Sequence, residues 1–225
     1  MHVRPEVIPY IWSSLAVAGI VGLALRLLRR TWRATLATAA IVAVLLIPYF
    51  LYFFRDPERV SPADPAALVA GADGTIMAIT EMQEPTFLKT NAVRVSIFLS
   101  LIDVHVNRAP VSGRIAFAQY YPGKRYFTFQ EKSSEFNQHS SILIEGGPTR
   151  CLVNQIVGPV ARRVVYWLDV GQAIGKGDRI GMMKFGSRLD MYFPRDEVEV
   201  RVARGDKVRA GETIVAVVKA QEGRP

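Results

Sequence analysis

The chain has 225 residues, half of them apolar, a net charge of +8 and one cysteine, Cys151. That length suits one sizeable domain plus an appendage, and a lone thiol excludes an internal disulfide or a metal site built on a cysteine pair. The basic residues are scattered through strand-like runs and no nucleic-acid module is recognisable, so the charge favours an anionic bilayer over nucleic acid as a partner.

The apolar excess lies at the N-terminus. Val7 to Leu25 and Ala34 to Phe54 carry no charge, and Arg26, Arg29, Arg30 and Arg33 stand between them. Each run, as a helix, is long enough to cross a hydrocarbon core of roughly 30 Å. The expectation is a membrane-inserted helical hairpin over residues 1–55, with Tyr52, Phe53 and Phe54 as an interfacial aromatic belt. A signal peptide and a buried core hairpin are the alternatives. The first run is long and leads at once into arginines and a second run, which opposes a cleaved signal.

From residue 56 to residue 225 the pattern becomes β-like. Gly74–Ile79, Val93–Leu101, Gly113–Phe117, Ser141–Ile144, Cys151–Val157 and Val164–Trp167 are rich in β-branched and aromatic residues and are punctuated by Gly and Pro. This predicts a mainly β domain, a sandwich or barrel without long helices. A repeat follows: Gly171, Ile174, Gly177, Asp178 and Ile180 recur in spacing as Gly205, Val208, Gly211, Glu212 and Ile214. Such a duplicated half-motif is typical of biotinyl and lipoyl domains. It raises a carrier-domain alternative, with Lys184 as the attachment lysine on an exposed hairpin.

Between the two copies lies Gly186-Ser187. Glycine offers an unhindered carbonyl to the neighbouring hydroxyl. Attack by Ser187 would give an ester, and elimination followed by hydrolysis would leave a pyruvoyl group on a new N-terminus. A turn is the ordinary reading of such a pair, so its company matters. In order along the chain come Phe53 to Arg59, Gly71-Ala72-Asp73-Gly74, Asp103-Val104-His105 running on to Gly113, Glu135-Phe136-Asn137-Gln138-His139, and Val153 to Gly158.

With Gly186-Ser187, these segments resemble the phosphatidylserine decarboxylase family in its short form, from about Phe53 to about Phe193. The resemblance implies a lyase that cuts itself into a β chain ending at Gly186 and an α chain starting at Ser187, the two remaining together as a heterodimer. The cofactor implied is the covalent pyruvoyl group derived from Ser187, with no metal and no external cofactor. Its ketone would form a Schiff base with phosphatidylserine and release CO₂ and phosphatidylethanolamine. An archaetidylserine-like substrate and a higher oligomer are left open.

The resemblance makes His105 catalytic, as proton donor or handler of the substrate carboxylate, although a lone His in an apolar strand is ordinarily structural. It places Asp73, by default a turn residue, near the cleavage site as a base or orienting group. Longer family members carry a second His where this chain has Arg108, and a guanidinium is no general base. The base for self-cleavage is then His105, His139, or Asp73 aided by backbone strain, in which His105 is preferred. Arg108 is expected to bind the lipid phosphate or the substrate carboxylate, and Asn137 and His139 to border the substrate. The family's lipid implies the cytoplasmic face of the cell membrane. The arginine-rich connection opposes this for a simple two-span hairpin, so a shallow or interfacial hairpin is the reading adopted.

Overall fold

The computed structural model describes residues 2–28, 30–124, 126–130, 133–159 and 164–220, with Glu135 described by its backbone alone. Arg29 of the basic connection and the Glu135 side chain of the quoted motif therefore lie outside the described residues. The chain forms two compact units, Met1–Glu58 and Arg59–Pro225.

In the first unit, α1 (Ile8–Leu27) and α2 (Trp32–Phe53) pack as a pair. Ser14, Ala18 and Gly22 repeat every fourth residue and are the buried positions of α1. A side chain on Gly22 would sit 3.6 Å from Thr35 and 3.7 Å from Ala39, so small residues set how closely the helices approach. Trp12, Ile20, Leu23, Leu36, Val44 and Leu45 face outward. Both helices are long and apolar enough to cross a membrane. Thr31 caps α2 by accepting from Ala34 N–H. Two short strands, β1 (His2–Val3) and β2 (Arg55–Asp56), pair beside the helix ends.

The second unit is mainly β. Its strands are β3 (Ala67–Val69), β4 (Gly74–Glu84), β5 (Thr90–Leu99), β6 (Val106–Arg108), β7 (Gly113–Tyr121), β8 (His139–Glu145), β9 (Cys151–Val157) and β10 (Val164–Tyr166). They continue as β11 (Ala173–Ile174), β12 (Arg179–Met183), β13 (Ser187–Pro194), β14 (Val198–Val200), β15 (Lys207–Val208) and β16 (Ile214–Val218). One turn of helix, α3 (Ser133–Phe136), precedes β8. An antiparallel sheet, ordered β11-β7-β8-β9-β13-β5-β4-β15, curls into a half-barrel, and two three-stranded sheets, β10-β12-β6 and β14-β16-β3, complete the unit. Strand alternation sends Ile142, Ile144, Val153, Val157, Leu189, Met191, Val95 and Ile97 to one core.

The duplication is physical. Gly171, Gly177, Gly205 and Gly211 all have φ between +75° and +100°, which glycine adopts freely. Gly177 N–H donates to Ala109 O as Gly211 N–H donates to Ala70 O, and Gly171 N–H donates to Ile115 O as Gly205 N–H donates to Ile76 O. Each copy thus contains an earlier half, Ala70–Ile76 or Ala109–Ile115, that reading the later half alone does not reveal.

Candidate active site

Strand β13 carries Ser187 as its first residue and is buried along its whole length between β9 and β5. Ser187 pairs with Leu99 on one side and Val157 on the other. By alternation its side chain shares the core face with Leu189 and Met191. Its hydroxyl oxygen is buried and makes no hydrogen bond among the described residues. Burying a hydroxyl without a partner costs free energy, so its position calls for an explanation.

The connection from β12 to β13 is tight. Phe185 and Gly186 have φ of +57° and +66°. Glycine tolerates that region, but phenylalanine there is strained by about 1–3 kcal/mol. The Gly186 carbonyl accepts a hydrogen bond from Thr128 Oγ1 at 3.4 Å. Gly158 makes room for both, since a Cβ at that position would stand 3.2 Å from Gly186 O and 3.2 Å from Thr128 Cγ2. Thr128 was not foreseen, because the stretch around it has no periodicity to betray it.

Asn137 explains how Thr128 is held. Its carboxamide nitrogen donates to Tyr126 O at 2.7 Å and to Val157 O at 2.9 Å, while its oxygen accepts from Tyr126 N–H at 2.8 Å. Ser133 Oγ donates to Thr128 O. Asn137 therefore ties the loop before β8 to the end of β9, next to Gly158.

His105 is fully buried. Its Nδ1 lies 2.9 Å from Asp103 O. A carbonyl only accepts, so Nδ1 bears the proton and Nε2 is the basic nitrogen of the neutral ring. Two residues along, on the same side, Asn107 Oδ1 accepts from Gln155 of β9 at 2.7 Å. Moving from Asn107 to His105 follows β12 from Gly181 to Met183, whose N–H donates to His105 O. On β9 the same direction leads from Gln155 to Val157, the partner of Ser187. His105, just before β6, thus lies toward the Ser187 end of the sheet.

Asp73 lies at that end too, just before β4 and two strands from β13. Its carboxylate is engaged: Oδ2 accepts from Arg59 at 2.9 Å and Oδ1 from Ala210 N–H at 2.8 Å. Burial pushes its pKa above the usual 3.8, against the lowering effect of the Ala210 and Arg59 contacts. Arg59 also pairs with Glu212.

Two expected substrate contacts are turned away from Ser187. Arg108 alternates with Asn107 and so projects from the opposite face of β6, where its buried guanidinium donates to Gly177 O at 2.7 Å. It binds the duplicated turn instead of an open face. His139 stacks on Tyr121 and donates from Nδ1 to Asn137 O at 2.8 Å. It lines a cavity of about 480 Å³ with Ser141, Asn154 and Tyr192, on the far side of the large sheet from the Ser187 side chain. Beside it runs a buried polar row, in which Arg188 Nε donates to Asp190 at 2.7 Å and Ser134 Oγ donates to the other Asp190 oxygen. Lys184 is half-buried.

Comparison with known proteins identifies the family. The model of the phosphatidylserine decarboxylase family matches residues 46–216. A phosphatidylserine decarboxylase proenzyme of Desulfotalea psychrophila is 41% identical over 179 residues, which are 79% of this chain and 83% of the relative. Proteins with the same name are 43% identical in Salinibacter ruber, over 85% of this chain and 84% of the relative, and 36% identical in Geotalea uraniireducens, over 92% and 94%.

Proposed function

Since the chain belongs to the phosphatidylserine decarboxylase family and is thus a carboxy-lyase, we propose that it makes its own pyruvoyl group by cutting between Gly186 and Ser187 and then converts phosphatidylserine to phosphatidylethanolamine and CO₂. The observation that carries this reading is the Ser187 hydroxyl, buried without a hydrogen bond among the described residues, next to a strained turn whose carbonyl already meets a donor.

Ser187 Oγ attacks the Gly186 carbonyl carbon, and His105 Nε2 receives the hydroxyl proton. Charge gathers on Gly186 O, where Thr128 donates a hydrogen bond. The Gly186–Ser187 C–N bond breaks, leaving an ester on Oγ and a free amine. Loss of the Ser187 α proton then expels the Gly186 carboxylate, and water replaces nitrogen, released as ammonia. Cleavage also frees Phe185 and Gly186 from their left-handed turn. Asp73 acts as an orienting group, fixing the β15–β16 turn against β4 through Ala210 and Arg59.

The residues present fit the pyruvoyl group: the serine that becomes it is buried away from water, and Gly186 has no side chain to hinder attack. Once formed, its ketone supplies an electrophile for the substrate amine and an electron sink for the bond to CO₂. His105 returns a proton to the substrate carbon that loses CO₂. The hairpin of α1 and α2 holds the enzyme at the membrane that contains its lipid, with the catalytic unit on the cytoplasmic side. For the carrier alternative, Lys184 is half-buried beside buried Met183, whereas an attachment lysine works from an exposed tip.

Replacing Ser187 by Ala removes the attacking oxygen. The variant is expected to stay as one inactive chain on a denaturing gel, and processing of Ser187→Ala would refute the assignment.

A further inference from the structure

Large apolar side chains stand in solvent at one end of the β unit. Leu101 and Ile102 form the tip of the turn after β5, Phe127 and Phe129 flank Thr128, and Phe136 ends α3; Ile102 is 66% and Phe129 60% exposed. All five lie on segments that adjoin the end of the sheet where the reacting bond sits. Ser187 pairs with Leu99, so the turn begins one residue beyond that pair. Asp103 closes the turn by accepting from Ser100 N–H and Oγ, which leaves Leu101 and Ile102 at its crest. Phe127 and Phe129 stack with centroids 5.4 Å apart, on the segment that Thr128 ties to Gly186 O. These loops are held by hydrogen bonds, including the Asn137 set.

The opposite end of the large sheet differs. Its turns, residues 85–89, 146–150 and 195–197, present no exposed large apolar side chain among the described residues. Their charges are mixed, with Lys89, Arg150 and Arg195 beside Asp196 and Glu197. At the Ser187 end Lys124 lies 5.6 Å from the Phe136 ring and Lys184 is in the cleavage hairpin, while the Asp103 carboxylate is taken up by Ser100 and that of Asp73 by Arg59 and Ala210. Apolar tips interleaved with lysines suit the boundary of an anionic bilayer, where aromatic rings enter the headgroup level and lysines meet phosphates. A soluble surface rarely gathers such residues without a partner.

We propose that this rim, built by Leu101, Ile102, Phe127, Phe129 and Phe136 with Lys124 and Lys184, is a bilayer-docking surface of the catalytic unit. It sets the Gly186–Ser187 site at headgroup level, so that a phospholipid amine reaches it without leaving the membrane. The inference rests on the proposed function only in that the substrate is a bilayer lipid.

Cys151 is buried, so a cysteine added at the surface of the full chain is labelled selectively. An environment-sensitive fluorophore on Ile102→Cys or Phe129→Cys is expected to shift to the blue with vesicles of phosphatidylcholine and phosphatidylglycerol, and to be quenched by lipids spin-labelled near the headgroup. The same label on Val170→Cys, exposed on the loop before β11, is expected not to respond. Labels at 102 and 129 that behave like the one at 170 would overturn the proposal, as would labels already shielded in a soluble dimer without vesicles, which would assign the rim to a second copy. Ile102→Asp with Phe129→Asp is expected to lower turnover on vesicles by about tenfold or more, from lost apolar burial. Self-cleavage and turnover of a short-chain soluble analogue should stay normal. Unchanged vesicle turnover would contradict docking, whereas loss of self-cleavage in the wild-type chain would contradict the proposed function and leave the label experiment readable.

Discussion

The Thr128 hydroxyl and the Gly186 carbonyl oxygen are 3.4 Å apart, with Gly158 beneath both and a Phe185 in left-handed backbone on the other side. Deleting one donor to a developing oxyanion costs about 10²–10³-fold where the bond is short. Here it is long, so Thr128→Val is expected to slow self-cleavage by about 10- to 100-fold. Thr128→Ser should keep most of the rate. A time course of the two chains on a denaturing gel decides, and an unchanged Thr128→Val rate would remove Thr128 from the reaction.

Asp73 and Ser112 occupy equivalent places in the duplicated unit: Ala210 N–H donates to Asp73 Oδ1 as Lys176 N–H donates to Ser112 Oγ. An architectural duty for Asp73 follows. Asp73→Asn keeps the acceptor and is expected to process slowly but fold. Asp73→Ala leaves the buried Ala210 N–H unmatched and should lose about 1–3 kcal/mol of stability. Denaturant unfolding of Ser187→Ala backgrounds measures this without interference from cleavage. Equal stability of the two Asp73 variants would point away from the turn and toward a direct chemical role.

Much of this was legible in the sequence for physical reasons. Uncharged apolar runs of helix length announce the two packed helices, and the spacing of Gly171, Gly177, Gly205 and Gly211 announces turns that need positive φ. Strand β13 was hidden. Its second face carries Arg188, Asp190 and Tyr192, buried because each finds a polar partner on its own strand, on β5 or on α3, so hydrophobic alternation could not reveal it. The earlier half of the repeat was hidden too, since residues 70–76 and 109–115 have only Ala70, Gly74 and Ile76 in common with Ala109, Gly113 and Ile115, and the positions between them differ. The direction of Arg108 and the face occupied by His139 depend on strand register, which sequence fixes poorly when both faces are covered.

Alkali provides a test of that buried face. Burial, aided by the Asp190 carboxylate, pushes the Tyr192 hydroxyl above its usual 10.0 despite nearby Arg94 and Arg188. The neutral form is favoured in the fold, so the stability Tyr192 contributes is complete below pH 10.0. It declines as pH rises further, by up to about 1.4 kcal/mol per pH unit once the unfolded chain has ionised. Tyr192→Phe is expected to be less stable near neutrality and to show a shallower decline above pH 10. Identical slopes for the two proteins would mean that Tyr192 is not shielded as the structure has it.

The mass of the purified full-length protein under denaturing conditions tests the central claim most directly. Two chains are expected, Met1 to Gly186 and residues 187–225, the second blocked at its N-terminus and lighter by one ammonia than the same fragment beginning with serine. His105→Ala should yield them slowly or not at all, since general acid–base assistance is worth about 10²–10⁴-fold. A single intact chain that still releases CO₂ from phosphatidylserine would contradict the account.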